Sequence, residues 1–194
     1  MIAIIDYRMG NLRSVENALS RLGAEFTVTP DPAVILSADK VLLPGVGNAA
    51  EAMDNLRSAG LVDVIRGLRK PVLGICIGMQ ILCNYSEEGD TECLGLFDTS
   101  VRRFDSSTGI KVPHMGWNSI SNLDSKLFKG TDEGSFVYFV HSYRPGLCTD
   151  TIATSDYGGL FSAALKYENF YGTQFHPEKS GDVGENILKN FLTL

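Results

Sequence analysis

Residues 71–80, "PVLGICIGMQ", are the stretch from which the fold can be inferred most directly. The apolar run before Cys76 is typical of a buried strand, and the residues after it can begin a helix. Gly74 and Gly78 lie two positions to either side of Cys76. A G-x-C-x-G pattern at a strand-to-helix junction is typical of a nucleophile elbow, a sharp turn that presents a reactive side chain. The stretch therefore predicts an α/β fold with Cys76 at the carboxyl end of a strand.

The rest of the N-terminal half repeats this alternation of strand and helix. Short apolar runs predict strands at residues 2–7, 25–30, 40–47 and 71–76. Amphipathic segments predict helices at residues 10–23, 48–58, 61–70 and 77–86. Gly23 supplies a stop for the first helix, and Gly60 separates the second from the third. This βαβα order predicts a doubly wound, mostly parallel sheet.

The C-terminal half has a different pattern, in which turn-rich segments separate short strands. Strands are predicted at residues 135–143, 151–157, 161–167 and 170–176, and residues 168–169 predict a hairpin turn. Residues 182–194 predict a closing amphipathic helix. Neither a linker nor an internal repeat is evident. We therefore expect a single domain over residues 1–194, with an antiparallel extension of the sheet in its second half.

Composition excludes several classes of protein. The formal net charge of −6 argues against a nucleic-acid partner, because phosphate binding needs a basic surface. The apolar runs are too short to span a membrane, and the N-terminal residues lack the pattern of a signal peptide. Four cysteines without a C-x-x-C pair favour free thiols in the cytoplasm. With no P-loop, G-x-G-x-x-G or metal-ligand spacing, the sequence predicts neither a cofactor nor a metal.

Cys76 has the surroundings of a nucleophile. Flanking glycines provide clearance at a tight turn, where side chains would collide with each other or with a substrate. A helix that begins after the thiol favours the thiolate, and the amide of Ile77 can supply half of an oxyanion hole. The alternative is a small buried apolar residue, as most free cysteines are. Cys83, Cys93 and Cys148 lack comparable surroundings and keep that simpler interpretation.

His176 is the best candidate for the base among the three histidines of the chain. Pro177 favours an extended conformation at His176, and in an extended segment Glu178 projects to the same side and can orient the imidazole. A structural ion pair is the alternative. An H-x-E pattern also occurs in zinc deaminases, but their downstream P-C-x-x-C is missing here. His141 lacks an acid two residues away, and His114 is expected in a loop.

Four segments together carry a resemblance to a known family. They are "PGVG" at 44–47, "GICIGMQ" at 74–80, "SEEG" at 86–89 and "HPEKS" at 176–180. The chain resembles the class I, triad-type glutamine amidotransferases, whose fold is flavodoxin-like. Three more segments, "DYRMGNLRSVENAL" at 6–19, "PHMGWN" at 113–118 and "YFVHSYRP" at 138–145, are similar to the glutaminase subunits of imidazole glycerol phosphate synthases.

The resemblance implies an activity and a set of site residues. The activity is hydrolysis of L-glutamine to glutamate and ammonia through a thioester, with Cys76, His176 and Glu178 as the triad. The oxyanion hole is implied at Ile77 and at Val46 or Gly47. The residues implied to bind glutamine are Gly47, Gln80, Glu88, His141, Ser142 and Tyr143. Chemically, Glu88 suits an ammonium group, and backbone amides near Ser142 and Tyr143 suit a carboxylate.

A partner is implied as well. Ammonia released in water becomes ammonium, which is not nucleophilic, and the chain has no evident acceptor site of its own. The resemblance implies a heterodimer with a (βα)-barrel cyclase subunit of histidine biosynthesis, and glutaminase activity that is low until the partner binds its ligand. Matching interface positions are Asn11, Trp117, Tyr138 and Lys179, although Trp117, expected in a loop, also suits a core role.

Three other functions are consistent with parts of the sequence. A paralogous glutaminase subunit would feed another acceptor synthase, such as a sugar amidotransferase. A stand-alone thiol hydrolase would be fully active without a partner. A scaffold protein would tolerate loss of the triad residues.

Overall fold

A computed structural model describes residues 1–9 and 11–194 of the chain. Its strands are β1 (Ile2–Ile5), β2 (Phe26–Thr29), β3 (Lys40–Gly45), β4 (Val72–Cys76), β5 (Cys83–Ser86), β6 (Thr91–Glu92), β7 (Phe97–Arg103), β8 (His114–Ser119), β9 (Phe136–His141), β10 (Tyr143–Pro145), β11 (Thr151–Asp156), β12 (Leu160–Tyr167) and β13 (Phe170–Thr173). Its α-helices are α1 (Leu12–Arg21), α2 (Pro32–Ser37), α3 (Ala49–Ser58), α4 (Val62–Arg66), α5 (Ile77–Gln80) and α6 (Gly181–Thr193).

The main sheet has seven strands in the order β11-β12-β13-β4-β3-β1-β2. From β2 to β13 the neighbouring strands run parallel, and β12 and β11 extend the sheet in antiparallel fashion. The sheet confirms the predicted architecture of a mostly parallel sheet with an antiparallel extension. Both smaller sheets, β10-β7-β5-β6 and the two-stranded ribbon β8–β9, are additions that the sequence patterns did not indicate.

Strand β4 lies in the interior of the main sheet and is buried along its whole length. It pairs with β3 on one side, where Gly45 lies opposite Cys76, and with β13 on the other, where Thr173 lies opposite Ile75. Because all three strands are parallel, their carboxyl ends meet at one edge of the sheet. That edge brings together Cys76, the loop after β3 and the segment after β13.

The helices largely follow the predicted spacing. Helix α1 lies inside the predicted range, whose first residue, Gly10, falls outside the described residues, and Gly23 adopts a left-handed conformation with φ of 67° after the helix ends. Helices α3 and α4 lie on either side of Gly60, and α6 covers the predicted closing helix. The hairpin at residues 168–169 joins β12 to β13 as predicted. Helix α2 was not predicted, although Asp31 caps its N-terminus and Pro32 is its first residue, both ordinary helix-start signals.

The prediction of one helix over residues 77–86 is wrong. Helix α5 has only four residues, and the chain continues as β5. The backbone carbonyls of residues 81–83 accept hydrogen bonds from amides of residues 94–97 at distances of 2.8–2.9 Å. A helix would need these carbonyls for its own ladder. Pairing with a distant segment, which no local pattern reveals, therefore ends the helix.

The prediction that His114 and Trp117 lie in a loop is also wrong. Both lie on β8, where His114 pairs with His141 and Trp117 with Tyr138. The polar and glycine residues of "HMGWNS" give this strand a weak pattern, and its pairing with β9 provides the regularity. Among the described residues, no helix is long and apolar enough to cross a lipid bilayer.

Candidate active site

The turn at Cys76 has the strained geometry of an elbow. Cys76 has φ of 55° and ψ of −110°, a left-handed region that non-glycine residues rarely adopt. A Cβ on Gly74 would lie 2.6 Å from the Gly78 carbonyl oxygen, and a Cβ on Gly78 would lie 1.7 Å from the Leu43 carbonyl oxygen of β3. The clearance predicted for the glycines is therefore required, and its cause is the backbone of the elbow and of the neighbouring strand. Helix α5 begins directly after Cys76, but at one turn in length it adds little dipole support.

His176 and Glu178 form a buried pair beside the elbow. The imidazole Nδ1 lies 2.8 Å from the carboxylate Oε1, and both side chains are only 2% exposed. The contact was predicted, but the expectation that an extended segment produces it is wrong. His176 is extended, whereas Glu178 lies in a 3-10 turn over Pro177–Lys179, which bends its carboxylate back towards the imidazole. The Nε2 atom is buried and, within the described part of the chain, has no well-aligned hydrogen bond.

The charge state of His176 follows from its two neighbours. Burial lowers the pKa of its imidazole, but attraction to the Cys76 sulfur and to the Glu178 carboxylate outweighs burial and raises the pKa to about 10. The arrangement favours a charged imidazole beside the sulfur. A neutral His176 supported by Glu178 can therefore take the proton of the Cys76 thiol and return it later.

The Cys76 sulfur has two further polar contacts. The thiol faces the Val140 carbonyl at 3.8 Å, and the side-chain amide Nε2 of Gln174 faces the sulfur at 3.8 Å. Gln174 was not among the predicted site residues. Its only sequence signal is its place two residues before His176, on the segment that leaves β13.

A cavity of about 410 Å³ opens at this edge of the sheet. Its volume is that of a pocket for a small molecule. The lining residues are Val46, Gly47, Cys76, Ile77, Gln80, Glu88, Pro113, Val140, His141, Ser142, Tyr143, His176 and Lys179. The structure thus gathers every predicted oxyanion-hole and glutamine-binding residue around one cavity with Cys76 and His176, while Glu178 lies behind the imidazole.

Two loops complete the wall beside Cys76. Val46 and Gly47 follow the end of β3, and Gly47 has φ of 95°, a conformation that suits glycine. Glu88 lies on the loop after β5 and accepts a hydrogen bond from the Ala49 amide at 2.9 Å. Burial raises the pKa of the Glu88 carboxyl, and the Ala49 amide opposes that rise. One oxygen of Glu88 therefore helps to cap α3, and the carboxylate still borders the cavity.

Gln80 connects this wall to the segment after β9. Its Nε2 donates hydrogen bonds to the Tyr143 carbonyl and to Gln174 Oε1, both at 2.9 Å. Its own Oε1 is buried and has no partner among the residues that the structure describes. His141 Nδ1 donates to the same Tyr143 carbonyl at 2.8 Å. The Tyr143 carbonyl is therefore held by two side chains of the cavity wall.

His141 and His114 contact each other and form a pair of buried histidines, which was not predicted. His114 Nδ1 lies 3.0 Å from His141 Nε2, and Asn118 Nδ2 lies 3.4 Å from His114 Nε2. Burial lowers the pKa of His114 to about 4 and that of His141 to about 3. Both imidazoles are neutral at neutral pH. A backbone carbonyl can only accept a hydrogen bond, so the contact with the Tyr143 carbonyl requires a proton on His141 Nδ1. The Nε2 atom of His141 then accepts a hydrogen bond from His114 Nδ1.

The four predicted interface residues lie on several elements of the fold. Trp117 and Tyr138 pair across the ribbon β8–β9, with ring centroids 6.1 Å apart, and Trp117 is 55% exposed. The alternative of a core role for Trp117 is therefore wrong. Lys179 borders the cavity, and Asn11 lies in a cleft beside Glu178.

Comparison with known proteins identifies relatives over the whole chain. The family model described as "Glutamine amidotransferase class-I" matches residues 3–194. "Imidazole glycerol phosphate synthase subunit HisH" of Bacteroides fragilis is 56% identical over 194 residues, which are 100% of this chain and 99% of that protein. The protein of the same name from Xanthomonas euvesicatoria is 48% identical, over 100% of this chain and 97% of that one.

Solved structures share the fold at much lower identity. A protein described as a glutamine amidotransferase has a TM-score of 0.76 at 17% identity, covering 100% of this chain and 98% of that one. PurLQS from Thermotoga maritima has a TM-score of 0.70 at 19% identity, with 99% and 97% covered. At these identities the likeness concerns the fold alone.

Proposed function

Because this chain belongs to the class-I glutamine amidotransferase family, we propose that it is the glutaminase subunit of an imidazole glycerol phosphate synthase. The observation that carries the proposal is the buried His176–Glu178 pair, with 2.8 Å between Nδ1 and Oε1, facing the same cavity as the Cys76 elbow. Relatives of 45–56% identity with that name support the choice of acceptor pathway over a paralogous one.

In the first half of the proposed reaction, Cys76 attacks the side-chain amide of glutamine. His176 Nε2 takes the thiol proton, and the sulfur bonds to the amide carbon. The amide oxygen becomes an oxyanion, which the amide of Ile77 and that of Val46 or Gly47 are placed to stabilise. The imidazolium then gives its proton to the departing nitrogen, which leaves as ammonia, and a γ-glutamyl thioester remains.

In the second half, His176 acts on water. The neutral imidazole takes a proton from a water molecule that attacks the thioester, and it returns the proton to the sulfur as glutamate leaves. Glu178 accepts a hydrogen bond from His176 Nδ1 and stabilises the imidazolium in both halves. The high pKa of His176 suits this role, since the charged form is the one that follows proton transfer from the thiol.

Substrate binding uses the remaining residues of the cavity. We assign the α-ammonium of glutamine to Glu88 and its carboxylate to backbone amides near Ser142 and Tyr143, with Gly47, Gln80 and His141 completing the pocket. The assignment rests on charge complementarity and on the common cavity.

The proposal includes a (βα)-barrel cyclase subunit that receives the ammonia in histidine biosynthesis. Asn11, Trp117, Tyr138 and Lys179 are the proposed contacts, and the exposed pair Trp117–Tyr138 has the aromatic character of an interface anchor. The proposed location is the cytoplasm, which suits four free cysteines.

The experiment compares Cys76→Ser with Cys148→Ser in the complex with the cyclase subunit. Cys76→Ser is expected to abolish synthesis from glutamine and to leave synthesis from added ammonium salt intact, because only the nucleophile is lost. Cys148→Ser, a half-buried thiol away from the cavity, should keep both activities. Loss of both activities in Cys76→Ser would assign a structural role to Cys76.

A second measurement tests the partner. Glutamine turnover by the chain alone should be low and should rise when the cyclase and its ligand are added. Vigorous turnover by the chain alone would contradict the proposed dependence on a partner and favour a stand-alone hydrolase.

A further inference from the structure

The side chain of Gln174 is placed against the reacting sulfur. It is fully buried, and its backbone amide donates to the Ala163 carbonyl of β12 at 2.8 Å, which anchors it to the sheet. Its side-chain amide lies between two groups of the site, with Oε1 2.9 Å from Gln80 Nε2 and Nε2 3.8 Å from Cys76 Sγ. A buried amide in this position has an orientation that its neighbours determine.

The orientation follows from a carbonyl that can only accept hydrogen bonds. The Tyr143 carbonyl lies 2.9 Å from the Gln80 amide, so the group facing it must be the NH₂ of Gln80. The second hydrogen of that NH₂ points to Gln174, which must present its oxygen there. The NH₂ group of Gln174 therefore faces the sulfur, and an inverted amide would leave two donors opposed.

We infer that Gln174 is a hydrogen-bond donor to the Cys76 sulfur and stabilises its thiolate form. The Val140 carbonyl, 3.8 Å from the sulfur, can accept the thiol proton but repels a thiolate. The Gln174 N–H···S contact has the opposite preference, because hydrogen bonds to a charged acceptor are stronger than those to a neutral one. The inference rests on the proposed function of Cys76 as the nucleophile.

Gln174 stabilises the Cys76 thiolate in a different way from the titratable side chains near the sulfur. Among the described residues, two titratable side chains interact electrostatically with Cys76. They are His176, which is paired with Glu178, and Tyr7, whose hydroxyl donates to the Pro44 carbonyl. An amide does not titrate. Removing it should shift the reactivity of Cys76 towards higher pH without changing the form of the pH profile.

The test compares Gln174→Met with Thr173→Val in the complex with the cyclase subunit. Thr173 is fully buried on the same segment, and its hydroxyl has no partner among the described residues, so it is a matched control for loss of a buried polar group. Alkylation of Cys76 by iodoacetamide is followed between pH 6 and pH 9, with each cysteine quantified by mass spectrometry. Co-elution of each variant with the cyclase subunit in size-exclusion chromatography reports that the complex remains assembled.

For Gln174→Met we expect the alkylation midpoint to rise by about one pH unit, with about tenfold slower alkylation at pH 7. The kcat for glutamine should fall by about tenfold, and Thr173→Val should match the wild type. If Gln174→Met instead matches Thr173→Val, the inference fails while the proposed function stands. If Cys76→Ser keeps glutamine-dependent synthesis, both fail.

A second readout uses the unaltered protein and does not depend on the folding of a variant. The side-chain NH₂ resonances of Gln174 should shift with the same midpoint as Cys76 alkylation and should stay constant in Cys76→Ala. Resonances that do not respond to pH in the wild type would overturn the inference.

Discussion

Two buried histidines border one cavity and differ in charge. His176 has the Glu178 carboxylate at Nδ1 and the Cys76 sulfur nearby, and its pKa is raised to about 10. His141 has a backbone carbonyl at Nδ1 and the neutral His114 at Nε2, and its pKa is lowered to about 3. Burial acts on both in the same direction. The difference shows that the partners of a buried imidazole, and not its burial, decide whether it can carry a charge.

The contrast divides the work at the cavity. A histidine that gains and loses a proton suits catalysis, whereas a histidine that stays neutral keeps one tautomer and one set of hydrogen bonds. His141 holds the Tyr143 carbonyl, which also accepts from Gln80. The neutral pair therefore supports the wall, and the charged pair supports the chemistry.

Glu178→Gln should produce the largest effect, because it removes the carboxylate that distinguishes the two histidines. Without it the pKa of His176 falls and its tautomer is no longer held, so glutamine-dependent synthesis should drop on the order of 10³-fold. Steady-state kinetics of the complex would measure the loss. Glu185→Gln, on the exposed side of α6, removes the same charge and should retain full activity. Near-normal kcat in Glu178→Gln would contradict the role of Glu178.

Asn118→Asp should reduce the contrast by giving the neutral pair a carboxylate. The new oxygen would lie near His114 Nε2, which is 3.4 Å from Nδ2 of Asn118. We expect the pKa of His114 to rise from about 4 by about 2 units, since an opposite charge favours the imidazolium. NMR titration of the imidazole resonances would measure the shift. Asn186→Asp makes the same change on α6 and should leave the pKa of His114 as it is in the wild type. An unchanged pKa of His114 in Asn118→Asp would contradict the contact between Asn118 and His114.

The smallest expected effect is a change in the pH dependence of stability. The pKa values of His114 and His141 lie at about 4 and about 3, below the value of about 6.5 in an unfolded chain. Between those limits the unfolded chain binds more protons than the folded protein, so both contributions to the free energy of unfolding are fully present above pH 6.5. The contribution of His114 is lost as pH falls towards 4, and that of His141 as pH falls towards 3. His114→Gln removes one of the two contributions and should flatten the decline.

Urea unfolding at pH 7.5, 6 and 5 would measure that slope. Lys189→Gln, an exposed change with no titration in this range, should keep the slope of the wild type. An equally steep decline in His114→Gln would show that His114 does not remain neutral in the folded protein.

Predictability from sequence differed between the two sides of the cavity. The elbow side was predicted in detail, because the glycines around Cys76 and the short apolar strands are local signals of a local geometry. The same local reasoning extended α5 through residue 86 and left His114 in a loop, since hydrogen bonds to residues 94–97 and pairing with β9 determine those segments. Gln174 was missed because no local pattern marks it as a site residue, and its contact with Cys76 spans 98 positions of the chain.

The sequence by itself determined the chemical groups: a thiol between glycines at a strand end, a histidine two residues from an acid, and strands that favour a parallel sheet. Only the tertiary structure decided which histidine is charged. It set the 3-10 turn that brings Glu178 to His176, and it paired β8 with β9 so that His114 meets His141. The physical reason is that the charge of a buried group depends on atoms within a few ångströms, and chain folding, not local sequence, supplies most of them.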